Sequence, residues 1–127
     1  MTDTASPPGL LLFAHGARDP RWAEPFEALA ARLRSRRPGL NVKLAFLELM
    51  APDLPAAAAA MAAEGCSRID VLPLFLGAGG HVRKDLPALV QRLQAEHPAV
   101  QFRLHPPIGE MPAVIDAMAE AAASLLP

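Results

Sequence analysis

The sequence predicts an α/β domain in which a four-stranded parallel sheet lies between helices. Three observations carry this. Four short apolar runs, at 10–14, 42–47, 69–75 and 100–104, recur along the chain. Each is followed by a turn signal and a longer stretch with helical spacing of its apolar residues, which is the pattern of repeated βαβ units. The runs LLLFA and VLPLF are almost continuously apolar, as expected of strands buried on both faces of a parallel sheet.

The elements follow in order. Residues 1–8 are polar, end in two prolines and read as a disordered leader, with a single domain over 9–127. The first helical stretch, 20–37, places Trp22, Phe26, Leu29 and Leu33 on one face. Four of its last residues, Arg32, Arg34, Arg36 and Arg37, complement the carboxyl end of the helix dipole and read as a solvated face. The second stretch, 54–64, is rich in alanine. Asp53 as its cap, Pro55 in its first turn and Gly65 after it mark an ordinary helix rather than low complexity. The third, 81–96, aligns Leu86, Leu89, Val90 and Leu93. Pro73 inside the third run is expected to bend that strand near its end. The last stretch, 111–126, is apolar on more than one side, and part of that surface is expected to pack on the sheet.

Composition excludes several classes. The chain has 127 residues, 52% hydrophobic and 20% charged, with a mean hydropathy of +0.22. That is enough apolar material for one core, and it excludes a disordered chain. Twelve Lys and Arg against thirteen Asp and Glu leave a net charge of −1, which gives no pull towards nucleic acid or an anionic membrane. No apolar run approaches the ~20 residues of a bilayer span, and no Lys or Arg precedes Arg18 to form a signal-peptide n-region. Cys66, the single cysteine, excludes a disulfide framework, a cysteine zinc site and an iron–sulfur cluster within one chain. The expectation is a cytoplasmic protein without a prosthetic group.

In an open parallel sheet, ligands bind outside the carboxyl ends of the strands. The first strand delivers His15, Gly16, Ala17 and Arg18 there, and the second delivers Glu48. The third delivers Gly77, Gly79, Gly80, His81, Arg83 and Lys84, and the fourth His105. Three of four histidines therefore fall on one edge; His97, before Pro98, reads as a helix cap. Histidine and carboxylate together suit a borderline divalent metal such as iron, cobalt, nickel or zinc, and imidazole also accepts protons. The glycines before His81 lack the Gly-Lys-Ser/Thr of a phosphate loop. They suit a backbone that must pass close to a bulky planar ligand. A histidine-phosphatase reading of His15-Gly16 fails because Ala14 stands where an arginine is needed.

These residues carry a resemblance. The run Leu12-Phe13-Ala14-His15-Gly16-Ala17-Arg18-Asp19-Pro20, the Phe46-Leu47-Glu48 strand end, Pro73-Leu74-Phe75-Leu76 with Gly80-His81, and Asp85-Leu86-Pro87 resemble the small-type sirohydrochlorin chelatases. The resemblance covers about residues 10–112. It implies a flavodoxin-like, chelatase-like three-layer sandwich and insertion of cobalt, iron or nickel into a tetrapyrrole, in cobalamin or sirohaem biosynthesis. It implies His15, His81 and Glu48 as metal-binding and catalytic residues. Arg18, Gly79, Gly80, Arg83 and Lys84 are the expected contacts to sirohydrochlorin, whose carboxylates suit the cations. Ala17 stands where the family often has serine, and Met111 about where it often has histidine. A homodimer is expected, because larger chelatases set two such α/β halves face to face. The competing reading is a non-catalytic metal or tetrapyrrole carrier using the same edge.

Overall fold

A computed structural model describes residues 6–127. The chain alternates β1 (Gly9–Ala14), a 3-10 turn (Pro20–Ala23), α1 (Glu24–Arg36), β2 (Asn41–Phe46), α2 (Leu54–Ala63) and β3 (Arg68–Pro73). It continues with α3 (Gly80–Glu96), β4 (Gln101–Leu104), a second 3-10 turn (Ile108–Glu110) and α4 (Pro112–Ala123). All four strands are parallel, in the order β2-β1-β3-β4. The order runs one way from β1 to β2 and the other way from β1 to β3 and β4. The crevice above β1 and β3 is thus the switch point of a doubly wound sheet.

Alternation along the strands sorts the core into layers. Leu11, Phe13, Ile69 and Val71 face α2 and α3, where they meet Leu54, Ala57, Met61, Leu86, Val90 and Leu93. Leu12 and Val42 face α1 and meet Ala30, with Leu29 and Leu33 alongside. A third group joins Ala14 and Phe46 to Trp22 and Phe26 under the carboxyl edge. Each leucine buried in this way contributes roughly 1.5–3 kcal/mol. The alanine-rich α2 starts as its sequence requires: the Asp53 carboxylate accepts the Ala56 N–H at 2.9 Å. Its small side chains let the helix lie close to β1, so close that a Cβ on Gly9 would come within 2.7 Å of the Met61 methyl.

Several boundaries differ from the sequence expectation. The leader is attached to the domain at its last residues, since the Asn41 N–H donates to the Pro8 carbonyl and Ser6 pairs with Ser67; residues 1–5 lie outside the described residues. The first helical stretch opens with a 3-10 turn, set by the Asp19 carboxylate on the Arg21 N–H. Arg34 is not merely solvated, because its guanidinium donates to the Val42 carbonyl at 2.7 Å. Pro73 is the last residue of β3. Leu74 donates to Phe13 on the β1 side, so the preceding nitrogen faces β4, whose last rung is His105 N–H to Val71. Proline has no N–H to donate to the next rung, so the β3–β4 ladder stops there. The largest difference concerns α4, which has no buried residue, although part of it was expected to pack on the sheet. Among the described residues, no helix is long and apolar enough to cross a membrane.

On the α1 side of β3 and β4 lies a polar network. Asp70 pairs with His105 Nε2 at 2.7 Å and accepts from Arg68 Nε at 3.1 Å. Burial pushes the Asp70 carboxyl up. The hydrogen bonds from Arg68 and His105, with the charges behind them, outweigh burial and hold its pKa below the ordinary value of 3.8. A carboxyl lowered by folding stabilises above its unfolded pKa, and that contribution disappears as pH falls through the folded value. Asp70→Asn is therefore expected to cost about 1–2 kcal/mol at pH 7 and to flatten the acid limb of the stability curve below pH ~4. Urea titrations at pH 7 and pH 3 measure both; an unchanged acid limb would mean the network contributes nothing.

Candidate active site

The carboxyl ends of β1 and β2 are joined by continuing their ladder beyond the strands. Leu47 N–H donates to the Ala14 carbonyl at 2.9 Å and Glu48 N–H to the His15 carbonyl at 3.1 Å. This pairing sets His15 beside Glu48, with Nε2 and Oε2 3.3 Å apart and both side chains about half exposed. Gly16 makes it possible. Its φ is +97, a conformation costly for any residue with a Cβ. A Cβ there would fall 1.9 Å from the Glu48 carbonyl oxygen. The next turn is strained: Leu49 has φ +65 and is exposed, an arrangement costing about 1 kcal/mol or more.

From β3, Phe75 sets its ring edge against His15, with centroids 6.3 Å apart. His15, Phe75, Leu76, Gly77, Ala78, Gly79 and Val82 line an open groove of about 340 Å³. Gly77, Gly79 and Gly80 have no positive φ, and a Cβ on any of them would meet open space. Neither backbone conformation nor crowding within the chain therefore demands glycine at these positions. What their lack of side chains provides is bare backbone facing outward, beside Leu76, which is 72% exposed. Leu47, 44% exposed, continues this apolar surface on the other side of the crevice.

The loop is held from behind. Arg83 Nε donates to the Ala78 carbonyl at 2.8 Å, and its Nη2 reaches Glu110 Oε2 at 2.9 Å. Gly109 N–H donates to the Phe75 carbonyl, and its Cα sits so near Leu76 that a Cβ would lie 2.2 Å from that backbone. The second 3-10 turn thus clamps the 75–78 segment. Arg83, expected to contact a ligand, has its guanidinium committed to this clamp.

His81 occupies the first turn of α3, 98% exposed, with Nδ1 3.5 Å from Asp85 one helical turn on. It lines a second groove with Leu47, Val82 and Leu89. Val82 is common to both grooves, so the two histidines flank it on one edge. They do not converge. Among the described residues, no three of His, Cys, Asp and Glu stand close enough to hold a metal ion. The expected trio of His15, His81 and Glu48 is therefore present as a pair and a separate third residue, because the His81 side chain leans back on Asp85. Arg18 lines a separate groove with Phe46, Leu49 and Met50. Lys84 is exposed on α3. His105 stands at the edge, in a groove with Ala78, Arg83 and Glu110, but its Nε2 is turned to Asp70 and away from the other two histidines. His97 caps α3 through its backbone N–H to Leu93, as its place before proline suggested.

Three contributors escaped sequence reasoning. Asp85 was visible as an i, i+4 partner of His81. Phe75 and Glu110 were not, because their roles arise only where β3 and the second 3-10 turn meet. Chemically, a carboxylate on one imidazole nitrogen leaves the other free to bind a cation or take a proton. The edge thus offers two such imidazole–carboxylate pairs beside a bare, partly apolar shelf.

The protein-family model described as CbiX matches residues 9–125. A sirohydrochlorin cobaltochelatase of Methanocaldococcus jannaschii is 32% identical over 88 residues, 69% of this chain and 62% of that protein. The chain thus spans less than two thirds of that relative's length. One from Sulfolobus acidocaldarius is 30% identical over 118 residues, covering 93% of this chain and 92% of that protein. The crystal structure of a putative cobalamin biosynthesis CbiX protein from Marinobacter aquaeolei superposes with a TM-score of 0.80 at 38% identity, covering 93% of this chain and 96% of that one.

Gly16→Ala is expected to destabilise the fold by at least about 2 kcal/mol, since both the positive φ and the Glu48 carbonyl oppose a Cβ. Thermal unfolding measures this. A variant as stable as the parent would show that the two loops do not meet as described.

Proposed function

The chain belongs to the CbiX family, and on that premise we propose that it is a sirohydrochlorin chelatase. It inserts cobalt(II), iron(II) or nickel(II) into the macrocycle and releases the two protons of the pyrrole nitrogens. The observation that carries this reading is the His15–Glu48 pair, 3.3 Å apart, at the switch point of the sheet. The relatives' names supply the substrate, and the donor chemistry supports it: imidazole and carboxylate bind all three metals, which is why the metal is left as a class.

Metallation exchanges two N–H protons for one divalent ion, so the site needs proton acceptors as much as donors to the metal. His15 takes a proton on the nitrogen that Glu48 leaves open, and Glu48 balances the charge of the imidazolium formed. His81 with Asp85 repeats the arrangement on the other side of Val82. Before transfer His15, Glu48 and His81 hold the metal, with His81 swinging from Asp85 about its side-chain torsions, and the imidazole lone pairs become free for the two protons as the ion passes to the macrocycle. The macrocycle lies over the glycine segment, its apolar face on Leu76 and Leu47, while Gly79 and Gly80 allow close approach. Its carboxylates reach Arg18 and Lys84. Arg83 acts as a positioning residue through Ala78 and Glu110. The protein works in the cytoplasm as a homodimer, a second copy supplying the opposite wall of a site that is an open edge in one chain.

Turnover with excess sirohydrochlorin and cobalt(II), followed by the optical shift of the macrocycle, tests the proposal. Sustained turnover is expected; binding that stops at one equivalent would indicate a carrier. His15→Ala and His81→Ala are each expected to lower turnover by about 10²–10⁴-fold with the fold intact, whereas His97→Ala stays near the parent. Near-parental turnover in either of the first two removes the assigned site. Arg83→Ala, which frees the glycine segment, is expected to raise KM more than it lowers kcat. An unchanged KM would mean the clamp does not position the shelf.

A further inference from the structure

Arg92 shares a groove with His81 and, among the described residues, pairs with no acid. Along α3, His81, Asp85, Leu89 and Arg92 follow at i, i+4, i+8 and i+11, which sets them on one face of the helix. With Leu47 and Phe13, that face encloses a space of about 220 Å³. Its walls are apolar except for His81, Asp85 and Arg92. Asp85 is turned to His81, with Oδ2 3.5 Å from Nδ1. Glu96 follows Arg92 by one turn, the less favourable order for a helical ion pair. A guanidinium left unpaired in an apolar groove is placed to receive an anion.

The groove fits a side arm better than a whole ligand. Its volume lies below the roughly 300–1,000 Å³ of pockets that enclose a drug-sized molecule. Val82 joins it to the groove of His15 and the glycine segment, and Leu47 forms part of its wall. A macrocycle resting on that segment and on Leu47 therefore meets the groove at its rim. Arg92 stands eleven residues beyond His81, roughly 16 Å along the helix axis. Helical side chains lean towards the amino end, which brings the guanidinium back towards the imidazole. The neighbouring cations are placed differently. Arg83 is committed to Ala78 and Glu110, and Arg18 lines a separate groove.

We propose that Arg92 binds a peripheral carboxylate of the tetrapyrrole, whose arm lies along Leu47 and Leu89 in the His81 groove. This rests on the chelatase reading above and adds a contact that fixes how the ring is turned over the metal-binding residues. The apolar walls receive the methylene stem of the arm, and the guanidinium receives its charged end. Tetrapyrroles with a neutral group at that position lose the contact, so the groove selects for acidic macrocycles.

Binding of metal-free sirohydrochlorin to the full chain, read by its fluorescence, tests this apart from turnover. Arg92 is exposed and glutamine favours helix about as well as arginine, so Arg92→Gln is expected to fold. Its Kd is expected to rise about fivefold, and Arg92→Lys, which keeps the charge, to recover most of that loss. The gap between the parent and Arg92→Gln should close as salt is raised, because a contact between exposed charges is screened; a role in folding alone would leave it open. Arg36→Gln removes an equal charge from the last residue of α1, at the amino edge of the sheet, and is expected to bind as the parent does. Parental affinity in Arg92→Gln, or an equal loss in Arg36→Gln, overturns the Arg92 contact and leaves the chelatase reading standing. A parent chain that does not bind sirohydrochlorin overturns the chelatase reading and the contact with it.

Discussion

The carboxyl edge depends on β1 being paired in parallel on both flanks, to β2 on one side and β3 on the other. Parallel strands end together, so the three loops that leave them start side by side. The ladder then continues past the strands through Leu47 to Ala14, Glu48 to His15 and Leu74 to Phe13. Backbone hydrogen bonds, rather than side-chain contacts, thereby bring His15, Glu48 and Phe75 within reach of one another. The inward residues Leu11, Leu12, Phe13 and Ala14 are essentially inaccessible, which keeps β1 from shifting register under the loops.

Placed on that base, the edge adds little to stability. Its ion pairs are exposed and contribute little to folding. Leu49 holds a left-handed conformation that a residue with a Cβ adopts only at a cost, and such strain gathers where function fixes geometry. The division of labour among the cations is also clear. Arg83 is used inwardly, to hold the loop to the second 3-10 turn, and Arg18 and Lys84 remain on the surface. The clamp matters because glycine segments supply no side-chain packing of their own to fix their shape.

The layering is complete on one face and incomplete on the other. α2 and α3 close one face over all four strands, whereas α1 covers the opposite face near β2 and β1. A chain of this length buries only about two thirds of its surface on folding, and leaving a helix unpacked lowers that share further.

Much of this was written in the chain itself. The four strands, the helices between them and the grouping of His15, Glu48 and His81 on one edge follow from local pattern: apolar runs of strand length, capping at Asp53, and the rule that parallel strands end on the same side. Each depends on residues near one another in sequence. The tertiary structure decided what depends on distant segments meeting. It set Glu48 against His15 through Gly16, committed Arg83 to Glu110, turned His105 to Asp70 and left α4 without a bed. Local pattern could place Arg83 and His105 at the edge but could not say which neighbour would claim their hydrogen bonds. That choice is made by charges brought together from 27 and 35 residues away.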